Sequence, residues 1–109
     1  MICEITVVKR SSFEDLQRLY SPAPKLGPCL LFEDGARYVV HDEIDFDSLP
    51  DQGFCPSAHK TIRDASLRIL RGESLAGWSK QGNLAIISCA DGMHPVVFRI
   101  EGKEQEMRA

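Results

Sequence analysis

The clearest pattern in the sequence is an amphipathic helix that begins at Pro56. Proline suits the first helical position, where its missing N–H needs no partner, and apolar residues then recur at helical spacing. These are Ala58, Ile62, Ala65 and Ile69, and the run stops at Gly72. Charge pairs four residues apart, such as Asp64 with Arg68, fall on the exposed side. A helix with one buried face has to pack on a sheet or on another helix.

Four segments with the two-residue alternation of strands provide that sheet. They are residues 2–8, 36–41, 84–89 and 96–101. In the first, Cys3, Ile5 and Val7 fall on one face, which we expect to lie in the core. The last two strands are joined by residues 90–95, called the hairpin loop below.

Less regular sequence separates the first two strands. A short helix is predicted there, and its apolar residues are expected to face the core. These are Phe13, Leu16, Leu19 and Tyr20. Residues 21–28 contain three prolines and are predicted to form a loop, because proline removes backbone donors and restricts the residue before it.

The acidic segment 42–51 holds five acids and no base. A calcium loop of the EF-hand type also requires a glycine and a closing glutamate, and the segment lacks both at the positions that such a loop needs. We therefore predict a solvated loop that binds no calcium.

The elements follow the order β-α-β-α-β-β, which predicts an α+β domain with a small, largely antiparallel sheet, one long helix and one short helix. A chain of 109 residues with 43% hydrophobic residues has room for one domain, expected to span residues 1–103 before a polar tail at 104–109. Trp78 is predicted to anchor the loop before the third strand. Because a core of this size leaves stability marginal, we expect a homodimer.

The balance of charges makes nucleic acid an unfavourable partner. Thirteen Lys and Arg face sixteen Asp and Glu, so the net charge is −3 and no basic field attracts a phosphate backbone. No apolar run approaches the about 20 residues that span a bilayer, and the first residues lack the pattern of an export signal. We therefore expect a cytoplasmic protein with no membrane partner.

Four cysteines are the candidates for chemistry, and they lie too far apart for the local ligand pairs of a zinc finger or ribbon. We expect reduced thiols. Cys55 is at the predicted N-cap of the long helix, where the helix dipole favours a thiolate. His59 follows one turn later, so the two side chains can form a thiolate–imidazolium pair or provide two ligands to a metal.

A second pair, Cys89 and His94, flanks the hairpin loop. Two metal sites can be drawn from these residues: a mixed site of Cys55, His59, Cys89 and His94, or a cysteine site that includes Cys29. Thiolate and imidazole ligands suit zinc, whereas thiolates alone can hold an iron–sulfur cluster.

Four stretches of the sequence carry cysteine motifs. They read Cys-Glu-Ile-Thr-Val-Val-Lys at 3–9, Gly-Pro-Cys-Leu-Leu-Phe-Glu-Asp-Gly at 27–35, Gly-Phe-Cys-Pro-Ser-Ala at 53–58 and Cys-Ala-Asp-Gly-Met-His-Pro-Val-Val at 89–97. They resemble a family of small cysteine-containing bacterial and archaeal proteins with the motifs Cys-Pro-x-Phe-x-x-Gly, Gly-Phe-Cys-x-Trp-Ala and Cys-Cys-Thr-Asp-Gly-x-Arg-Pro-Val. The family has no established function, so the resemblance implies a shared cysteine-lined site and no particular activity.

The match to this family is closer at the cysteines than at the histidines. The matching residues are Cys3, Cys29, Cys55, Cys89, Asp91, Gly92 and Pro95, and the departures are Ser57, His59, Ser88 and His94. A site common to the family would therefore use Cys29, Cys55 and Cys89 in preference to either histidine.

Three functions remain open from the sequence. The first is a small cytoplasmic binding module with a cysteine-lined site for a small molecule or a metal. The second is a thiol-dependent enzyme or redox protein that uses Cys55, which would have to be exposed and have a low pKa. The third is a structural domain whose cysteines are inert core residues.

Overall fold

The computed structural model describes residues 1–77 and 79–104 and shows an α+β domain built on one four-stranded sheet. The strands are β1 (Ile2–Arg10), β2 (Arg37–Val40), β3 (Leu84–Ser88) and β4 (Val96–Lys103). Their order across the sheet is β2-β1-β4-β3, and every neighbouring pair is antiparallel. The predicted fold class is confirmed. Trp78 and residues 105–109 of the predicted tail lie outside the described residues.

Among the described residues, three α-helices accompany the sheet: α1 (Glu14–Tyr20), α2 (Glu43–Asp47) and α3 (Pro56–Leu70). The long predicted helix is α3, which begins at Pro56 and is followed by Gly72 in the left-handed conformation, with φ of 75°. It packs against β1, β3 and β4. Within the described part of the chain, no helix is long and apolar enough to cross a membrane.

The core lies between α3 and one face of the sheet. Cys3, Ile5 and Val7 of β1 all point into it, as their alternation predicts, and none is more than 1% exposed. The apolar positions of α3 meet them from the other side, so the helical and strand periodicities are buried against each other. The α3 residues are Ala58, Ile62, Ala65 and Ile69.

The acidic segment is helical, so the prediction of a loop at 42–51 is wrong. It forms α2 and then a 3₁₀ turn, Leu49–Gln52. Asp42 caps α2, because its carboxylate accepts a hydrogen bond of 2.7 Å from the N–H of Asp45. Phe46 is fully buried and fixes the segment to the core. Burial of Phe46 and Leu49, together with the hydrogen bonds from Arg63 of α3 to Asp47, outweighs the preference of five acids for an irregular, solvated backbone.

The inward face predicted for α1 is also wrong. Leu19 and Tyr20 are each 71% exposed, and Phe13 and Leu16 are exposed too, whereas Gln17 is fully buried. The backbone N–H of Phe13 is bonded to the carbonyl of Met93 in the hairpin loop, and α1 contacts no other described helix or strand. Its orientation is therefore set by a tether at its first turn and not by its apolar residues.

Candidate functional site

A half-open pocket of about 470 Å³ lies between the chain segment that follows α1 and the hairpin loop. Its wall is formed by residues 25–31, called the pocket loop below, and Asp91 and His94 of the hairpin loop complete it. Two of the candidate residues, Cys29 and His94, therefore line the same pocket. Clefts of this size hold small molecules in other proteins, where about 300–1,000 Å³ is the usual range.

His94 connects the two sides of the pocket. Its Nε2 atom lies 2.7 Å from the carbonyl oxygen of Lys25, and its Nδ1 atom lies 3.6 Å from a carboxylate oxygen of Asp91. The other carboxylate oxygen of Asp91 accepts hydrogen bonds from the N–H groups of Met93 and His94, at 2.8 and 3.0 Å. Both ring nitrogens of His94 face hydrogen-bond acceptors, so the ring connects the pocket loop to the hairpin loop. Because each nitrogen has such an acceptor in front of it, the ring is poorly placed to bind a metal.

Asp91 is held in its ionised form by the same hairpin loop. Partial burial works against ionisation, but the hydrogen bonds from the backbone of His94 and Met93 and the nearby imidazole outweigh it. The pKa of the Asp91 carboxyl is consequently below its ordinary value. The pocket has a carboxylate at one end and apolar side chains along its wall.

Arg10, at the end of β1, holds the other end of the pocket loop. Its Nη1 atom donates to the carbonyl oxygens of Cys29 and Phe32, at 2.8 and 2.7 Å, and its Nε atom donates to Asp34 at 3.0 Å. The side chain is only 17% exposed. Sequence reasoning missed this residue, because its partners lie 19–24 residues away and two of them are backbone carbonyls, which leave no mark in a sequence.

Three leucines of the pocket loop are turned toward solvent. Leu26, Leu30 and Leu31 are 58%, 93% and 66% exposed. Pro24 precedes the loop and Pro28 lies within it, and both keep the chain out of regular structure. The hydrogen bonds made by Arg10 and His94 hold the backbone of the loop at both ends. Apolar side chains gathered in this way beside a pocket are typical of a binding surface.

Cys55 occupies the N-cap position of α3 as predicted, but His59 turns away from it. The His59 ring stacks on Phe46, with ring centroids 4.3 Å apart, and its Nε2 atom lies 3.0 Å from the Phe46 carbonyl oxygen. Asp47 is 3.6 Å from the same nitrogen. The Cys55 thiol makes no hydrogen bond with any described residue, and the imidazole belongs to the contact between α2 and α3.

Asp47 is paired with a base from the neighbouring helix. Arg63 donates to both carboxylate oxygens of Asp47, at 3.2 and 3.1 Å, and to Glu43 at 3.0 Å. The hydrogen bonds from Arg63 lower the pKa of Asp47. Two of the three acids of α2, Glu43 and Asp47, are therefore paired with Arg63 of α3, whereas Asp45 accepts a hydrogen bond of 2.8 Å from the N–H of His41.

The remaining cysteines have structural surroundings. Cys3 is fully buried, and desolvation raises the pKa of its thiol to about 12, with a hydrogen bond to Ser66 acting in the opposite direction. The Cys89 sulfur accepts a hydrogen bond of 3.3 Å from the N–H of Val96. All four cysteines are free thiols.

The structure does not bring the predicted metal ligands together. Among the described residues, no three His, Cys, Asp or Glu side chains are grouped so that they could hold a metal ion. Cys29 lies in the pocket wall, Cys55 at the start of α3 and Cys89 at the end of β3. A zinc or iron–sulfur site made from Cys29, Cys55 and Cys89 stays a prediction.

Comparison of the chain with protein-family models, with curated proteins and with solved structures gives no match. The resemblance inferred from the cysteine motifs therefore also stays a prediction.

Proposed function

We propose that this chain is a small cytoplasmic binding module whose pocket takes a small molecule with an apolar body. The observation that carries the proposal is the exposure of Leu26, Leu30 and Leu31 around a pocket of about 470 Å³. Exposed leucines have an unfavourable free energy of hydration that a ligand relieves when it covers them, at about 25 cal/mol per Å² of apolar surface. The homodimer expected from the size of the chain belongs to the same proposal.

The polar end of the ligand is indicated by Asp91. Its Oδ1 atom is occupied by two backbone N–H groups, while its Oδ2 atom has only the more distant His94 nitrogen beside it. A ligand that carries a hydroxyl or an ammonium group could donate to Oδ2 with its apolar part against the leucines. The favoured ligand therefore combines an apolar body with one hydrogen-bond donor.

The geometry favours binding over thiol catalysis. A nucleophilic Cys55 needs a neighbouring base, and the base predicted for it, His59, is held by Phe46 and Asp47. Cys29 is the cysteine that lines the pocket, where its thiol can contact a bound molecule. The pocket is therefore the place at which the binding hypothesis can be tested.

The uncharged dye Nile red provides a direct test of the pocket. We expect its fluorescence to rise and saturate on titration with the native protein. We expect Leu31→Asp, which puts a carboxylate into the pocket wall, to weaken dye binding at least about tenfold, since burying an unpaired charge beside the dye costs more than about 1.4 kcal/mol. Leu19→Asp on α1 is the matched control, because Leu19 is 71% exposed and lies outside the pocket.

Alkylation provides an independent measurement at the same site. Saturating Nile red should slow the reaction of iodoacetamide with Cys29 and leave Cys55 unchanged, as measured by mass spectrometry of peptides. Equal loss of dye binding in the Leu31→Asp and Leu19→Asp proteins, or undiminished labelling of Cys29 under saturating dye, would rule out this pocket as the binding site.

A further inference from the structure

The hydrogen bond between His94 and Lys25 determines which nitrogen of the neutral imidazole carries the proton. The Nε2 atom of His94 lies 2.7 Å from the carbonyl oxygen of Lys25. A carbonyl oxygen only accepts hydrogen bonds, so Nε2 has to be the donor. Because a neutral imidazole has a single N–H, its other nitrogen is then an acceptor. The Nδ1 atom of neutral His94 therefore has a lone pair and no proton.

The neighbour of Nδ1 is a second hydrogen-bond acceptor. Atom Oδ2 of Asp91 lies 3.6 Å from Nδ1, which is longer than a hydrogen bond. The other oxygen, Oδ1, already accepts hydrogen bonds from the N–H groups of Met93 and His94, at 2.8 and 3.0 Å. An ionised carboxylate has no proton to donate, so neither Nδ1 nor Oδ2 satisfies the other. These two atoms, called the acceptor pair below, therefore lack a donor among the described residues.

The spacing of the acceptor pair suits a nitrogen that carries two or more protons. A nitrogen placed about 2.9 Å from both atoms donates one N–H to each, and each N–H bends by less than about 20° from a straight hydrogen bond. A hydroxyl has one proton and satisfies one of the two acceptors, whereas a quaternary ammonium has no N–H and satisfies neither. A primary ammonium satisfies both acceptors and keeps its third N–H for water. It also carries the positive charge that an ionised carboxylate attracts.

The acceptor pair can be reached from the pocket. Asp91 and His94 both line the pocket, and their side chains are 53% and 20% exposed. Lys25 lines the pocket too, but within the described part of the chain the basic group beside Asp91 is the imidazole and not the Lys25 ammonium. A metal ion needs more than two ligands, and among residues 1–77 and 79–104 no third His, Cys, Asp or Glu side chain is grouped with this pair. The pair is therefore accessible to an ammonium group from outside the chain.

We propose that the pocket selects primary ammonium ligands with an apolar body, and that the acceptor pair of Asp91 and His94 determines this specificity. The ammonium head donates one N–H to each atom of the pair, and the apolar body lies against the exposed leucines of the pocket loop. Alkylamines and arylalkylamines form this class of ligand. The inference rests on the binding function proposed above, and it adds the head group of the ligand and the residues that recognise it.

Three probes that share an octyl body test the choice of head group. Octylamine carries a charge and three N–H donors, octyltrimethylammonium carries a charge and no N–H, and octanol has one O–H and no charge. Each probe is titrated as a competitor of Nile red at about pH 8.5, which is above the range in which imidazoles change charge and below the pKa of about 10.4 of an alkylammonium. We expect octylamine to bind at least about threefold more tightly than octyltrimethylammonium, since charge-assisted hydrogen bonds to a partly exposed carboxylate are modest in strength.

Two substitutions each remove one acceptor and keep the loops attached. Asp91→Asn keeps Oδ1 for the two backbone N–H groups but replaces Oδ2 by an uncharged donor, so octylamine binding should weaken at least about fivefold and octanol binding less than about twofold. His94→Gln can donate an amide N–H to the Lys25 carbonyl but has no acceptor at the position of Nδ1. It should weaken octylamine binding about threefold and leave octyltrimethylammonium binding unchanged. Asp64→Asn is the matched control, because it removes the same charge from α3 outside the pocket, at a side chain that is 70% exposed.

Binding of Nile red itself separates this inference from the proposed function. The dye has no N–H or O–H, so Asp91→Asn and His94→Gln should bind it like the native protein, which shows that the pocket keeps its shape. The selectivity is disproved, and the binding function stands, if native protein binds the dye but octylamine displaces it no better than octyltrimethylammonium. The same conclusion follows if octylamine keeps its full affinity in both variants. If the native protein does not bind the dye, the binding function and this inference fail together.

Discussion

Cys3 should resist alkylation in the folded protein while the other three cysteines react. Burial raises the pKa of its thiol from 9.0 to about 12, so at pH 8 its thiolate fraction is about 1000-fold below that in the unfolded chain. Cys3 is also fully buried, whereas Cys29, Cys55 and Cys89 are partly exposed. A timed pulse of iodoacetamide, followed by digestion and mass spectrometry, should find the label on those three cysteines and none on Cys3.

Denaturant provides the control, since all four cysteines should react alike once the chain is unfolded.

The Cys3 thiol also makes the free energy of unfolding depend on pH. Because the folded-state pKa of Cys3 is raised, its contribution is complete below pH 9 and is lost as the pH rises toward 12. Cys3→Ala should remove that alkaline decline in the free energy of unfolding. Labelling of Cys3 together with the partly exposed thiols in folded protein would show that β1 is not packed as described.

Replacing Arg10 should destabilise the protein and release the pocket loop. Arg10→Met keeps the length of the side chain but removes hydrogen bonds to two backbone carbonyls and to Asp34. At 17% exposure these bonds are partly shielded from water, so we expect the free energy of unfolding to fall by about 3 kcal/mol. Chemical denaturation measures this fall, and faster alkylation of Cys29 reports the release of the loop.

Arg18→Met is the matched control for this change. Arg18 is 67% exposed, and the N–O distance of its ion pair with Glu14 is 3.7 Å. Its replacement should change stability by no more than about 0.5 kcal/mol. If the two variants were equally stable, or if Cys29 reacted no faster in Arg10→Met, the role given to Arg10 would be incorrect.

The sequence predicted most of the sheet and the long helix because their signals are local and repeated. Pro56, the four apolar positions of α3 and the alternation in β1 each follow from the spacing of neighbours in the chain. The antiparallel arrangement followed from the order of the elements and the hairpin between β3 and β4. Such patterns bury one face of an element whatever its exact neighbours are.

The errors arose where a distant partner decides the outcome. In α1, a backbone bond from Phe13 to the hairpin loop orients the helix and buries Gln17, although its apolar residues predict the opposite face. In the acidic segment, the helix is held by burial of Phe46 and by Arg63 from α3. The spacing of neighbouring residues predicts neither the bond from Phe13 nor the contact with Arg63, because both partners are distant in the sequence.

The candidate site was predicted in part for the same reason. Cys29 and His94 were singled out by residue type, and the structure places both at one pocket. Cys55 and His59 were singled out by their spacing. The His59 ring is instead held by Phe46 of α2, a segment that was not expected to be a helix. Arg10 and the exposed leucines give no chemical signal, because a guanidinium at the end of a strand and leucines in a loop are ordinary in a sequence.

The side chains that hold the pocket loop in place form hydrogen bonds with main-chain atoms. His94 holds the carbonyl of Lys25, and Arg10 holds the carbonyls of Cys29 and Phe32. Every amino acid has such a carbonyl, so the exposed side chains of Leu26, Leu30 and Leu31 can be exchanged while the loop stays attached at both ends. Gly27 has to stay glycine, because its φ of 96° is strained for any other residue. The domain could therefore serve as a scaffold on which new ligand preferences are selected by randomising three positions of one loop.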